Sequence, residues 1–149
     1  MNDLRELYEE VILDHNRNPR NFGRRPPECN RAAHGHNPLC GDQVEVSMTL
    51  RDGVIEDIAF DGEGCAISTA SASMMTQALK GRTGKEARSL FDAMHAVLVE
   101  EAEPDHDRLG KLAALLGVKD FPMRVKCATL PWHTMEAALE GRDAPVTTE

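Results

Sequence analysis

The most restrictive feature of this 149-residue sequence is an alternating pattern that turns back on itself between residues 43 and 60. In QVEVSMTL (43–50), apolar and polar residues alternate, which is typical of a strand with one buried face. The Asp-Gly pair that follows predicts a type I′ turn, because both central residues of that turn take positive φ. VIEDIAF (54–60) returns as the partner strand. The sequence therefore predicts an antiparallel hairpin, with AAHGHN (32–37) as a short edge strand.

Helical signals flank this sheet on both sides. Residues 2–15 carry an apolar stripe at helical spacing, and the chain is predicted to be mostly helical after Cys65. The first of these helices is predicted at residues 66–81, and the second runs from the capping box at 83–86 to Pro104. A third helix is predicted from about Asp105 to Gly117. The last runs from near Thr129 to Gly141, with Pro131 in its first turn. These elements predict an α+β fold in one domain spanning residues 1–149, with residues 142–149 as a frayed tail.

Composition narrows the class of protein further. Aromatic residues make up only 4% of the chain, so the core must be aliphatic, and the formal net charge is −8. An acidic chain without a basic run is a poor candidate for binding nucleic acid or an anionic membrane. The charged N-terminus lacks the apolar stretch of a signal peptide, and no window has transmembrane length. We therefore expect a cytoplasmic protein, in whose reducing compartment stable disulfides are rare.

Three of the four cysteines occupy related positions. Cys40 lies just before the first clear strand and Cys65 just after its hairpin partner, so antiparallel pairing brings both to one edge of the sheet. Cys127 lies just before the last predicted helix, and Cys65 also begins a helix, where the helix dipole favours a thiolate. No CxxC motif is present, so spacing alone is a weak signal and position carries the inference.

Asp42, two residues after Cys40, supplies a fourth donor in one interpretation of this pattern. Three thiolates and a carboxylate complete a tetrahedral Zn²⁺ site, whereas a permanent [4Fe–4S] cluster more often takes four cysteines. The competing interpretation is structural, since a free cysteine is more often a small buried apolar side chain and an aspartate beside a strand often closes a turn. The coincidence of three cysteines in glycine-flanked or helix-entry loops favours the metal site.

The remaining thiol and the histidines lack that context. Cys29 follows a basic connector at residues 16–27 and is interpreted as an ordinary residue. His34 and His36 precede Cys40 closely enough to join a site, although each alone is more simply an ordinary side chain. His15 ends the first helix, where an imidazolium suits the helix dipole. The connector is either a solvated segment or a docking surface through its arginines, which are Arg17, Arg20, Arg24 and Arg25.

The combined motifs resemble the iron–sulfur cluster assembly proteins of the IscU/NifU-like family, and within it the SufU type. The matching stretches are ILDHNRNPRNFG (12–23), NPLCGDQV (37–44), DGEGCAIS (61–68), SASMM (71–75) and RVKCATLPW (124–132). Two departures from the IscU pattern are similar to SufU: Lys126 stands where IscU proteins have histidine, and the stretch between Cys65 and Cys127 is longer. The family fold is a small three-stranded antiparallel sheet with helices packed beside it.

The resemblance implies a zinc site at Cys40, Asp42, Cys65 and Cys127, with Cys40 as the acceptor of persulfide sulfur. It also implies a partner, a cysteine desulfurase of the SufS type, and downstream iron–sulfur assembly proteins. On this hypothesis the chain is a zinc-dependent sulfurtransferase or sulfur carrier. The alternatives are a scaffold that assembles a transient Fe–S cluster on the same residues, and a structural zinc module without chemistry, which would unfold when the metal is removed.

Overall fold

The computed structural model of the protein describes residues 3–142 and 144–148, and for residues 3–5 it describes the backbone alone. The central sheet has the strand order β3-β2-β1-β4, and its first three strands are β1 (Arg31–Asn37), β2 (Asp42–Arg51) and β3 (Val54–Glu63). β1 pairs with β2 and β2 with β3, both antiparallel. Asp52 and Gly53 have φ of 53° and 78°. The predicted hairpin and its turn are therefore confirmed.

The sheet has one strand more than the three expected. β4 (Val146–Thr147) pairs in parallel with β1 and lies within the segment that was predicted as a frayed tail. Its register places Val146 opposite Gly35 and Thr147 opposite His36. A two-residue strand is too short to carry an alternation, so no periodic signal marked it.

The α+β class is confirmed, with helices α1 (Asp3–Arg17), α2 (Ala66–Leu79), α3 (Gly84–Glu100), α4 (His106–Leu109) and α5 (Pro122–Glu140). Asn2, where the first helix was predicted to begin, lies outside the described residues. The capping box at Thr83 and Glu86 is confirmed, with both reciprocal hydrogen bonds present. The predicted helix at 105–117 is instead the short α4 followed by a 3-10 segment, Gly110–Val118. Among the described helices, none is both long enough and apolar enough to cross a membrane.

α5 differs most from the prediction. It begins at Pro122 rather than near Thr129, so Cys127 lies within its second turn and not in a loop before it. Pro131, expected in the first turn, is in the helix interior. Pro122 takes the first-turn position that proline favours, because the missing N–H there has no helical partner to lose. The predicted start of this helix was therefore wrong, because Pro122 and not Pro131 is the proline of the first turn.

α5 and α2 pack on one face of the sheet and enclose an aliphatic core around the fully buried Trp132. On the opposite side of α2, α1 is held by His15, whose Nδ1 lies 2.7 Å from the hydroxyl of Ser73. His15 is only 3% exposed, and burial lowers its pKa, which disfavours the imidazolium expected at this helix end.

The contact between β1 and α5 depends on Gly35. A Cβ at this position would lie 2.1 Å from Thr134 Oγ1 and 3.1 Å from Leu130 Cδ1. We predict that Gly35→Ala lowers the free energy of unfolding by about 1–3 kcal/mol, because the methyl group forces strand and helix apart. Denaturant unfolding of the purified variant measures this. Gly117→Ala is the matched control, since a Cβ at Gly117 meets nothing within 4 Å. Equal stability of the two variants would contradict the prediction.

The basic connector is tied to the domain through ion pairs. Arg24 binds both carboxylate oxygens of Asp57, at 2.7 and 2.8 Å, while Arg20 contacts Asp14 at 2.6 Å and Arg25 lies 3.5 Å from Glu45. Three of the four arginines proposed as a docking surface thus already have carboxylate partners within the chain. The hydrogen bonds from Arg24 lower the pKa of Asp57 to about 2.

We predict a pH-dependent contribution from this pair. Because the folded-state pKa of Asp57 lies below the ordinary value of 3.8, the stabilisation is present above about pH 4 and lost as pH falls towards about 2. Asp57→Asn should cost about 1 kcal/mol at neutral pH, a value discounted because Arg24 is partly exposed. Urea unfolding of both proteins from pH 7 downward measures it. A difference that stays constant to the lowest pH would contradict the assignment.

Candidate metal centre

Cys40 and Asp42 are placed by the tight connection between β1 and β2. Asn37, at the end of β1, is fully buried, and its Oδ1 accepts the N–H of Leu39 at 2.9 Å. Its carbonyl accepts the N–H of Gly41 at 2.9 Å, and Gly41 has φ of 76°, a conformation that favours glycine. The loop therefore places Cys40 at the surface of the protein, and β2 begins at Asp42.

Asp42 is 2% exposed and joins the hairpin to α2. Its Oδ1 accepts the backbone N–H of Cys65 at 2.8 Å, and its Oδ2 lies 3.5 Å from Cys65 Sγ. Cys65 is the N-cap of α2, and its sulfur accepts the N–H of Ser68 at 3.4 Å. The carboxylate thus fixes the position of the second thiol, and Cys65 lies at the sheet edge where the hairpin pairing predicts it.

Cys127 approaches from α5 on the other side. It is 3% exposed, and its sulfur lies 3.6 Å from the sulfur of Cys40. One ligand atom each from Cys40, Asp42 and Cys127 lie within 4.8 Å of one another, close enough to share a cation. Cys65 adjoins this group through its contact with Asp42. The structure therefore brings three of the four expected ligands, Cys40, Asp42 and Cys127, within reach of one cation, and it places Cys65 against Asp42 at the edge of this group.

Burial raises the pKa of the Cys127 thiol well above its ordinary value, and the neighbouring Asp42 and Cys40 raise it further. A thiol in these surroundings loses its proton readily only when a positive charge compensates the thiolate. Soft sulfur donors together with one carboxylate are a donor set used in tetrahedral zinc sites. The chemistry of the donor set thus fits a zinc ion.

The other candidates lie apart from this set. Cys29 Sγ contacts the carbonyl of Arg31, and His34 Nε2 lies 3.0 Å from Glu45 on the exposed face of the sheet. Within the part of the chain that the structure describes, neither histidine before Cys40 belongs to a cluster of metal-ligating side chains. The buried Asn37 was not predicted. Asparagine before a Pro-Leu-Cys-Gly loop was the only available hint, because asparagine side chains often stabilise turns.

Large apolar side chains are exposed beside the site in sequence. Leu39, next to Cys40, is 63% exposed, and Phe121 and Met123, at the start of α5, are 52% and 44% exposed. The guanidinium of Arg124 stacks over the Phe121 ring, 5.1 Å from its centroid. These residues and Lys126 flank the site cysteines in sequence, and we call Leu39, Phe121, Met123, Arg124 and Lys126 the rim of the site. It combines apolar area with positive charge.

Comparison with known proteins gives relatives that span nearly the whole chain. The zinc-dependent sulfurtransferase SufU of Bacillus subtilis (strain 168) is 43% identical over 134 residues, covering 90% of each protein. The iron–sulfur cluster assembly scaffold protein IscU of Streptococcus pyogenes serotype M1 is 38% identical over 140 residues, covering 94% of this chain and 87% of that protein.

Solved structures give the same result. The crystal structure of an iron–sulfur cluster assembly scaffold protein for the SUF system, from Fervidobacterium islandicum AW-1, superposes with a TM-score of 0.82 at 34% identity. The match covers 90% of this chain and 97% of that chain. The sequence also matches the NifU-like N-terminal domain over residues 7–128, a range that includes all four site residues. The chain therefore belongs to the NifU-like N-terminal domain family.

Proposed function

We propose that this protein is a zinc-dependent sulfur acceptor in iron–sulfur cluster biogenesis. The observation that carries the proposal is that ligand atoms of Cys40, Asp42 and Cys127 lie close enough to share a cation, with Cys65 adjoining and Cys40 at the surface. The similarity to a protein named zinc-dependent sulfurtransferase supports the choice of metal and reaction. The four residues would hold the ion, and bound zinc would supply the positive charge that keeps the thiols deprotonated.

Cys40 is the proposed acceptor because of its exposure and its surroundings. Cys127 is buried; Cys65 is exposed like Cys40, but its sulfur caps α2 by accepting the N–H of Ser68. Cys40 lies on a loop next to the exposed Leu39, where an incoming group reaches it without displacing the core. Its departure from the ligand set would leave the other three donors in place.

The proposed transfer is a thiol–persulfide exchange with a cysteine desulfurase. The Cys40 thiolate attacks the terminal sulfur of the persulfide on the desulfurase cysteine. A new S–S bond forms at Cys40 as the S–S bond of the donor breaks, and the desulfurase cysteine leaves as a thiolate. No net oxidation or reduction occurs. The outer sulfur of the Cys40 persulfide then passes to downstream iron–sulfur assembly proteins by the same kind of exchange, and Cys40 is released as a thiolate.

The rim offers a surface on which the desulfurase would dock. Exposed Leu39, Phe121 and Met123 supply apolar area, while Arg124 and Lys126 supply positive charge that attracts an anionic persulfide and an acidic partner surface. We propose a partner of the SufS type. Lys126 also bears on the alternative, because a protonated lysine has no lone pair with which to bind a metal, so a scaffold of the IscU pattern would lack one ligand.

The test combines metal analysis with a desulfurase assay on the purified protein. We expect about one zinc per chain and an increase in cysteine turnover by a SufS-type desulfurase when the protein is added. Visible charge-transfer absorbance after anaerobic loading with iron and sulfide, without desulfurase stimulation, would favour the scaffold function instead. Bound zinc with neither desulfurase stimulation nor cluster absorbance would indicate a structural zinc module.

A further inference from the structure

The described part of the C-terminal segment lies against the strand that leads to Cys40. Beyond the β4 pairing, the N–H of Thr148 donates to the carbonyl of His36 at 3.4 Å. The side-chain amide of Asn37 donates to the carbonyl of Thr148 at 3.5 Å. Since Asn37 binds the backbone of both Leu39 and Gly41, the segment supports the residue that shapes the Cys40 loop.

Thr148 also reaches the helix that carries Cys127. Its hydroxyl donates to the carbonyl of Lys126 at 3.4 Å. One residue therefore contacts β1 three residues before Cys40 and α5 one residue before Cys127. The sulfurs of those two cysteines are 3.6 Å apart, and they belong to elements far apart in sequence.

The turn of α5 that carries Cys127 has one helical hydrogen bond fewer than a regular helix. Pro131 has no N–H, so the carbonyl of Cys127, four residues earlier, lacks its usual helical donor. The carbonyls on either side accept additional side-chain hydroxyls: Ser71 donates to Ala128 at 2.6 Å, and both Thr129 and Thr148 donate to Lys126 at 3.4 Å. The turn that carries Cys127 is thus supported by hydroxyl groups from α2 and from the C-terminal segment.

We propose that residues 145–148 form a clasp that positions Cys40 and Cys127 relative to each other, with Thr148 as the positioning residue that joins the two elements. The clasp rests on the proposed function, because holding the two sulfurs together matters for retaining a metal ion. Thr148 touches neither the ion nor the sulfur cargo. It acts through Asn37 and the backbone of Lys126.

The experiment compares Thr148→Val with Thr148→Ser, and uses Thr147→Val as the matched control on the neighbouring exposed position of β4. Zinc retention is measured by competition with a chelator. We expect Thr148→Val to weaken it by about threefold to tenfold, and Thr148→Ser and Thr147→Val to leave it within about twofold of the wild type. Deletion of residues 145–149 should weaken it at least as much as Thr148→Val.

A second measurement needs no metal. In the metal-free protein, mass spectrometry follows alkylation of each cysteine, and Thr148→Val should speed alkylation of the buried Cys127 relative to Cys29. If the wild-type protein binds no zinc but Thr148→Val still speeds the alkylation of Cys127, the proposed function is wrong and the clasp is supported. If zinc binds but neither zinc retention nor the alkylation rate differs between Thr148→Val and the wild type, the clasp is wrong while the proposed function stands. Equal effects of Thr147→Val, or no rescue by serine, would also overturn it.

Discussion

Replacing Cys40 with serine is expected to lower sulfur acceptance from a cysteine desulfurase at least about a hundredfold. The serine hydroxyl fits the same loop but remains protonated at neutral pH, and it forms no persulfide. Desulfurase turnover in the presence of the variant, together with mass-spectrometric detection of persulfide on the protein, measures the loss. The fold should survive, because Cys40 is exposed and serine is close to it in size.

Cys29→Ser is the matched control for this substitution. Cys29 contacts the carbonyl of Arg31 and lies outside the cluster, so its loss should leave sulfur acceptance unchanged. Cys127→Ser, by contrast, should reduce zinc retention through loss of a buried donor. If Cys40→Ser stimulates the desulfurase as strongly as the wild type does, Cys40 is not the acceptor. Cys65, the other exposed cysteine of the site, would then be the next candidate.

The second large effect is expected for Asp42→Ala. This substitution removes a proposed zinc ligand and the acceptor for the Cys65 N–H, so we expect zinc affinity to fall by at least about tenfold to a hundredfold. Loss of this hydrogen bond to a charged acceptor should lower the free energy of unfolding by about 1–3 kcal/mol. Chelator competition and denaturant unfolding measure the two effects separately.

Asp42→Asn separates the two roles of this side chain. The asparagine Oδ1 still accepts the Cys65 N–H, while the negative charge that favours a dication is gone. We therefore expect near wild-type stability with weakened zinc retention. Asp61→Ala, on the exposed part of β3, is the control for a general change in charge. Unchanged metal content in Asp42→Ala after dialysis against a chelator would exclude Asp42 as a ligand.

The parts of the site that follow periodic structure could be predicted from the sequence. The alternation of β2 and β3 and the Asp52-Gly53 turn determine the pairing, and the pairing brings Asp42 and Cys65 to one edge. The sequence also predicts Cys127 near the start of a helix, but the predicted start lies about two turns too late. The prediction places Pro131 in the first turn, whereas the first-turn proline is Pro122. Proline favours the first turn of a helix, yet close packing also tolerates it in the interior.

Contacts between polar side chains distant in sequence could not be predicted. The buried pair His15–Ser73, the bond from Ser71 to Ala128 and the β4 contacts of Thr148 all depend on the final packing of helices on the sheet. None of them repeats with a helical or strand period. Each is a single hydrogen bond whose partner is fixed by tertiary structure, and such bonds leave no pattern in an isolated sequence.

The Asp52-Gly53 turn lies at the far end of the hairpin from the candidate metal centre. β2 has ten residues, so about 30 Å of strand separates the turn from Asp42. Side chains alternate between the two faces, and a slip of one residue would invert β2 and point Asp42 away from the cysteines. A change at this remote surface turn would therefore disturb the site only if it shifted the register of β2, which the pairing with β1 also holds in place.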